Sequence, residues 1–491
     1  MTGRGTRGWD FVALLLALLP LLGFWTYGLF DLDEGFYAAA AREMLRRGEW
    51  VTPLYQGHPW FEKPILLYWM AIPSIAAFGE AVGPRLPSVL CSAGTLLLVF
   101  AAARRWLGEA SGRTSLLVLG SSILAVGAGR MMLADPPLIL FLSAALLLFW
   151  ASLTNQNKRL LLRIAAAACL GVAVLAKGPV AGLLTILIFA VTYWREPDLR
   201  PAFRGGWPAS VAAFFGVVAV WYVPAYLADG SVFVDKFLIE QNIGRFTGGD
   251  AAHTLGGPLN WLFYVGVLLL GMFPWSLWVP AAWPRKGEAD ERDAFRRYLG
   301  TWALVVFVFF SLSGAKLPHY VLPAFPPLAM LVGARLASRR PDRFPLGPAI
   351  ACVVVAIIVQ GAFVLYYGGG RVGPFDVPGF HREVHDLTRW LRASGGSVAV
   401  YRMSRREADR GTGTTELRET AHPSIFFYLD RPALDTDDLE ALEAAPKPLW
   451  VLTRIGRIDE ADRRRLESKF RVEEVTPFPT RFYTIYRLSE R

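Results

Sequence analysis

Long apolar runs follow one another along the chain, separated by short segments that are mostly basic. Runs long enough to cross a hydrocarbon core of about 30 Å fall at 10–30, 84–106, 114–129, 133–153, 160–176, 178–195, 208–227, 258–283, 297–313, 317–337 and 345–367. The pattern predicts an α-helical multi-pass membrane protein with about eleven transmembrane helices. The stretch Ile65 to Phe78 is shorter, is interrupted by Pro73 and carries Tyr68 and Trp69, which predicts a helix lying in the interface rather than crossing. After Tyr367 the pattern changes. Gly368, Gly369 and Gly370 lead into 370–491, where basic and acidic residues are nearly equal in number. Strand-like runs at 398–401, 450–453 and 482–486 alternate there with helical stretches at 381–393, 436–444 and 459–468. The expected organisation is therefore a membrane domain, 1–369, followed by a small α/β extramembrane domain, 370–491.

Composition agrees with this division. Of the 491 residues 54% are hydrophobic and 19% charged, with 17 Trp, 16 Tyr and 32 Phe, more apolar surface than a water-soluble chain of this length needs. The formal net charge of +10 does not point to nucleic acid, because the basic residues sit in short clusters between apolar runs and not in a run interleaved with aromatics. They orient the chain instead. With the amino terminus in the cytoplasm, every inner segment is basic, and together the inner segments hold about twice the Lys and Arg of the outer ones, as the positive-inside rule requires. An odd number of spans then puts 370–491 outside. Arg4 and Arg7 precede the apolar run Phe11 to Phe30 with no small-x-small cleavage pattern, so this run is read as an uncleaved span and not a signal peptide. Cys91, Cys169 and Cys352 lie inside apolar runs and are read as packing residues, not metal ligands or disulfide partners.

The unusual polar residues fall on the outer side. Asp31-Leu32-Asp33-Glu34-Gly35-Phe36-Tyr37 follows the first span, and Phe61-Glu62-Lys63-Pro64 comes about thirty residues later. From Phe36 to Arg47 apolar residues recur at helical spacing, which predicts an amphipathic helix along the membrane surface. Asp33 at its start either caps the helix or accepts a proton from a hydroxyl. Lys63 before Pro64 sits where a helix cap is expected, and an ammonium beside free helix N–H groups suits an anion such as a lipid phosphate. The alternative is an interfacial lysine paired with Glu62 or reaching for headgroups.

The same logic returns at Asp135-Pro136-Pro137, an acid placed to cap a span or to hold hydroxyl groups. Lys177 lies where two spans meet, and Lys316 opens the segment Lys316-Leu317-Pro318-His319-Tyr320. Charges at such depth are functional hypotheses by default, with snorkelling lysines as the alternative. The segment 229–258, with Glu240, Gln241, Asn242, Arg245 and His253, reads as a soluble loop of the length of a lid or binding element. His253 with Glu62 or an aspartate could hold a metal, although no spacing demonstrates it.

Taken together these motifs resemble one family. Asp33-Glu34-Gly35-Phe36-Tyr37 with Arg42-Glu43-Met44, Phe61-Glu62-Lys63-Pro64-Ile65 with Tyr68-Trp69, Leu133-Ala134-Asp135-Pro136, Ala176-Lys177-Gly178, Asn242 to Phe246 with His253, Phe273-Pro274-Trp275 and Lys316 to Pro323 occur in family order over roughly residues 10–337. The chain thereby resembles the bacterial lipid A aminoarabinose transferases and their kin among polyprenyl-phosphate-sugar glycosyltransferases. These are membrane enzymes of the GT-C fold related to protein O-mannosyltransferases. Eleven spans, against thirteen in the aminoarabinose enzymes, is a departure, and in 370–491 the likeness is one of position and size only.

The resemblance implies inverting transfer of a sugar from a polyprenyl phosphate, undecaprenyl phosphate in bacteria, to a lipid A-like or other envelope acceptor at the periplasmic face of the inner membrane. Asp33 matches the family's base or acceptor-positioning acid, with Glu34 and Asp135 as the accompanying carboxylates. Lys63 matches the lysine on the donor phosphate, and Arg245, Lys316 and Tyr320 are further phosphate partners. Glu62 and His253 line the cavity where a divalent metal is conceivable, and Lys177 is a further polar residue of the site. Nothing suggests a nucleotide, since neither a P-loop nor a GxGxxG after a strand is present. The alternatives are a protein O-mannosyltransferase-like enzyme, a polymerase or ligase of lipid-linked glycans, and a non-enzymatic flippase for a lipid-linked sugar. The flippase is disfavoured by the lack of repeated halves.

Overall fold

The computed structural model describes residues 4–244, 259–285, 291–372, 375–403 and 422–491; the Arg-, Asp-, Gly- and Thr-rich stretch 405–415 lies outside them. The chain forms two compact units. One comprises Met1–Phe24, Phe61–Met70 and Arg85–Gln360, the other Trp25–Trp60, Ala71–Pro84 and Gly361–Arg491.

The first unit is helical. Leu86–Leu107, Asp135–Thr154, Arg159–Lys177, Trp207–Asn242, Glu291–Leu312, Pro318–Ala337 and Leu346–Gly368 are long and apolar enough to cross a membrane, the last of these running on into the second unit. Glu109–Gly120 with Ile123–Gly129 and Leu262–Gly271 with Trp275–Ala282 reach that length only as pairs, bent by 68° and 110°. The first and sixth of the expected spans form the shorter apolar helices Gly8–Leu21 and Val180–Arg195. The 16 residues of the latter measure about 24 Å, below the ~30 Å hydrocarbon core. By length and composition, seven helices among the described residues can cross a membrane, or nine if each bent pair is one span, against about eleven expected.

One segment differs from its sequence reading. The expected soluble loop from 229 begins instead as a continuation of the preceding helix, which breaks at Gly230 and runs on as a π-helix over Val234–Gly244. Aromatic packing is the reason: Phe233 and Phe237 are buried and stand edge-on to the buried Trp221, ring centroids 5.4 and 5.5 Å apart. Burying two such rings outweighs the Asp229-Gly230 turn signal.

Inter-helix packing relies on small residues and satisfied polar tips, as membrane bundles require. Tyr298 is buried, stacks on Trp150 and donates its hydroxyl to the Leu146 carbonyl at 2.9 Å. Cys91 and Cys352 are buried, Cys169 is half-buried, and all three are free thiols. Gly333 on the helix Phe325–Ala337 touches Glu109–Gly120 so closely that a Cβ there would lie 2.6 Å from the Ser115 amide nitrogen and Cα. Gly333→Val is therefore expected to destabilise the bundle by about 1–3 kcal/mol, the usual cost of overpacking. An apparent Tm of the detergent-purified variant equal to that of the wild type would refute this.

The second unit contains a five-stranded sheet. Its strands are β1 (Ser397–Tyr401), β2 (Leu434–Thr436), β3 (Leu449–Arg454), β4 (Arg471–Val475) and β5 (Tyr483–Ser489), in the order β2-β1-β3-β5-β4. β1 runs parallel to β2 and β3, whereas β5 is antiparallel to β3 and β4. Val398 and Val400 pack with Leu387 and Leu391 of the helix Phe380–Ala393, while Ala399 and Tyr401 pack on the other face with Leu442 and Leu466. Both faces being covered, the central strands read as continuous apolar runs.

The outer segment 25–60 belongs to this unit. Its helix, Asp33–Arg47, ends at Gly48 in the left-handed region, φ +68°, a conformation that favours glycine. A short hairpin follows, Leu54–Tyr55 against His58–Pro59, turned by Gln56 and Gly57 with positive φ. The expected surface-lying amphipathic helix is corrected: Glu34 to Ala41 are all buried. Phe36 stacks on Trp60 at 4.7 Å and meets Tyr55 at 5.0 Å. Its small-residue run, Ala38 to Ala41, permits contact on every side.

Candidate active site

In the first unit polar groups gather where helices end. Asp135 is the first residue of its helix and makes no side-chain cap, contrary to the capping expectation. Its buried carboxylate instead takes the Lys177 ammonium at 2.5 Å, with His319 Nε2 at 3.8 Å. Lys177 ends the helix Arg159–Lys177, and its Nζ lies 4.5 Å from the centre of the Tyr320 ring, a cation–π contact. Tyr264 donates to the Leu317 carbonyl at 3.1 Å, at the foot of the same short helix, Pro318–Ala324. Three elements distant in sequence thus place an acid, an ammonium, an imidazole and a phenol together.

Glu62 and Lys63 pair with each other at 3.2 Å, both largely buried, and Lys63 acts electrostatically on Asp135 at longer range. The expected helix after Lys63 begins only at Leu66, so Lys63 is not its cap. Pro64, outside regular structure, and Ile65, in a turn, stand between them. Lys316 is placed differently from the other cations. Its ammonium donates to the carbonyls of Phe310, Ser311 and Ser313 at 2.7, 2.9 and 2.6 Å. An ammonium has three donors, so here all are spent closing the carboxyl end of the helix Glu291–Leu312. Arg245 and His253 lie outside the described residues, and with them the metal set that His253 would complete.

In the second unit Asp33 is half-buried at the first position of its helix. Glu34 is fully buried and accepts the Phe30 amide at 2.9 Å. Two residues before Asp33 lies a centre that the sequence reading did not single out. Asp31 Oδ1 accepts the Ser424 amide, and Oδ2 accepts the Ser424 hydroxyl, both at 2.9 Å. His422 Nδ1 is 3.0 Å and His381 Nδ1 3.7 Å from Oδ2. Because the Ser424 hydroxyl donates to Asp31, it accepts from His385 Nε2 at 2.8 Å, leaving His385 Nδ1 to accept from Tyr367 at 3.2 Å. Burial opposes the charge on Asp31, but His381 and His422 outweigh it and hold the carboxyl below its usual range. Burial drives His385 well below the usual imidazole range, so it is neutral. One sequence signal was available: three of the six histidines fall within 381–422, and His381 and His385 share a helix face at i, i+4.

Residues 11–228 match the family described as Dolichyl-phosphate-mannose-protein mannosyltransferase. Among characterised sequences, an undecaprenyl phosphate-alpha-4-amino-4-deoxy-L-arabinose arabinosyl transferase of Pseudomonas aeruginosa is 32% identical over 341 residues, 67% of this chain and 60% of its own. One from Pseudomonas fluorescens is 34% identical over 342 residues, 67% of this chain and 57% of its own. The match thus spans less than two thirds of these relatives' length. Among solved structures, ArnT from Cupriavidus metallidurans bound to undecaprenyl phosphate superposes with a TM-score of 0.71 at 19% identity, covering 99% of this chain and 98% of that one. The archaeal oligosaccharyltransferase AglB from Archaeoglobus fulgidus gives 0.56 at 10% identity, covering 100% and 75%. The chain is accordingly a multi-pass membrane protein of the GT-C fold and a homologue of the undecaprenyl phosphate-aminoarabinose arabinosyl transferases.

Proposed function

We propose that the chain is an inverting glycosyltransferase that moves a sugar from a polyprenyl phosphate, undecaprenyl phosphate first among them, to an envelope acceptor of the lipid A kind. The observation that carries this reading is the buried group Asp135, Lys177, His319 and Tyr320, with Lys63, itself paired to Glu62, in electrostatic reach. Such a site suits an anionic lipid headgroup bearing hydroxyls. As the bond from the anomeric carbon to the phosphate oxygen breaks, negative charge grows on the phosphodiester. Fixed cations in a site shielded from water lower the barrier to that charge separation. The acceptor oxygen attacks the opposite face of the anomeric carbon, which inverts it. Its proton passes to a general base, the role given to Asp33. Lys63 and Arg245 take the phosphate, with Tyr320 as a further partner. Lys316, its donors spent on carbonyls, holds the helix end that positions Tyr320. Glu34 anchors the helix that carries Asp33.

Placement in the bacterial inner membrane, with the amino terminus cytoplasmic and 370–491 periplasmic, rests on the distribution of Lys and Arg. Because residues 11–228 match the mannosyltransferase family, a protein hydroxyl is the second acceptor to consider. The test is reconstitution: full-length protein with undecaprenyl-phosphate aminoarabinose should release undecaprenyl phosphate and raise the mass of lipid A by one aminoarabinose. Release accompanied by mass on a protein acceptor would select the second reading. No release with aminoarabinose or hexose donors, under conditions in which the Cupriavidus protein is active, would overturn both.

A further inference from the structure

We propose that Asp31, His381 and His422 form a binding site for a tetrahedral divalent ion of the zinc class, which joins the outer segment 25–60 to the sheet domain within the second unit. One ligand atom from each residue, a carboxylate oxygen of Asp31 and a ring nitrogen of each histidine, lies within 4.8 Å of the other two. An ion held about 2.1 Å from each ligand in a tetrahedron separates them by about 3.4 Å. The distances from Oδ2, 3.0 Å to His422 and 3.7 Å to His381, bracket that value.

His381 is the second, independent observation. Its residue is 1% exposed, and neither ring nitrogen has a hydrogen-bond partner among the described residues. Its neighbours are aromatic, with Phe380 at 4.3 Å, Tyr366 at 5.2 Å and Phe30 at 5.8 Å between ring centres. A buried polar ring facing hydrocarbon on its flanks is costly unless something satisfies it, and its Nδ1 points toward a buried carboxylate. The surroundings are those of an orienting shell: Ser424 holds both carboxylate oxygens, and the Tyr483 hydroxyl lies 2.7 Å from His422 Nε2.

Arg454 sets the proton balance. Its Nη2 lies 3.1 Å from His422 Nε2, and a guanidinium only donates. Without an ion, Nε2 accepts and Nδ1 carries the proton that bonds Asp31. On binding, the ion takes the Nδ1 lone pair and the ring proton resides on Nε2. The Tyr483 oxygen accepts it there, and Arg454 turns aside. A fourth position is left for water.

The experiment uses untagged full-length protein, stripped with a chelator and titrated with Co2+ alone. Wild type is expected to bind one equivalent with the intense visible bands of tetrahedral cobalt. His381→Ala, which breaks no hydrogen bond to the described protein, should lose that equivalent and its bands. His381→Cys should keep the equivalent and add a thiolate-to-cobalt charge-transfer band in the near ultraviolet. An ion on Glu62 and His253 would survive both substitutions. Wild type without tetrahedral bands at one equivalent, an unchanged spectrum in His381→Ala, or metal binding by His381→Cys without charge transfer would each overturn the site.

Discussion

Asp33→Asn is expected to lower the rate of sugar transfer by a factor of roughly 10² to 10⁴, the range a general base contributes, while the protein still folds and enters the membrane. Asp33 stands at the first helical position and is half-buried. The isosteric amide keeps the shape and opens no cavity, and it removes a charge near the helix amino terminus, worth about 0.3–1 kcal/mol. The loss should fall on kcat, because proton transfer belongs to the transition state and not to donor binding. Glu34→Gln is the informative contrast. Its carboxylate is fully buried and accepts the Phe30 amide, so it should lower thermal stability before it affects the chemistry. A wild-type kcat for Asp33→Asn would remove Asp33 from the mechanism.

Breaking the Asp135–Lys177 pair should have the largest effect on stability. The side chains are 3% and 12% exposed and 2.5 Å apart. Removing either partner strands a buried charge, at a cost of about 3–5 kcal/mol. Asp135→Ala and Lys177→Met are each expected to lower the apparent Tm markedly. The double substitution should recover much of that loss, since no uncompensated charge then remains. Activity should not return with stability, because the double variant lacks both the acid and the cation of the site. Additive losses in the double variant would mean that the pair is not coupled. Full activity in it would mean that neither group serves the reaction.

Much of this architecture was legible because it depends on local periodicity. Crossing a hydrocarbon core requires an unbroken apolar helix, so the long helices announce themselves, and buried parallel strands such as β1 and β3 read as apolar runs. The strand β4, Arg-Val-Glu-Glu-Val, escaped notice as a polar edge strand. The helix Ser424–Leu429 is only six residues long, too short for a periodic signal.

The sequence by itself determined the membrane class, the extramembrane α/β domain, the family likeness and the residues at the helix ends, because each of these lies within a few turns of chain. Partnership was decided by the tertiary structure. Asp135, read as a cap, pairs with Lys177, and Lys316 faces carbonyls. Asp31 meets a histidine 391 residues away. Whether a charged side chain caps, pairs or binds depends on which distant groups share its buried volume. Only the packing of separate elements settles that.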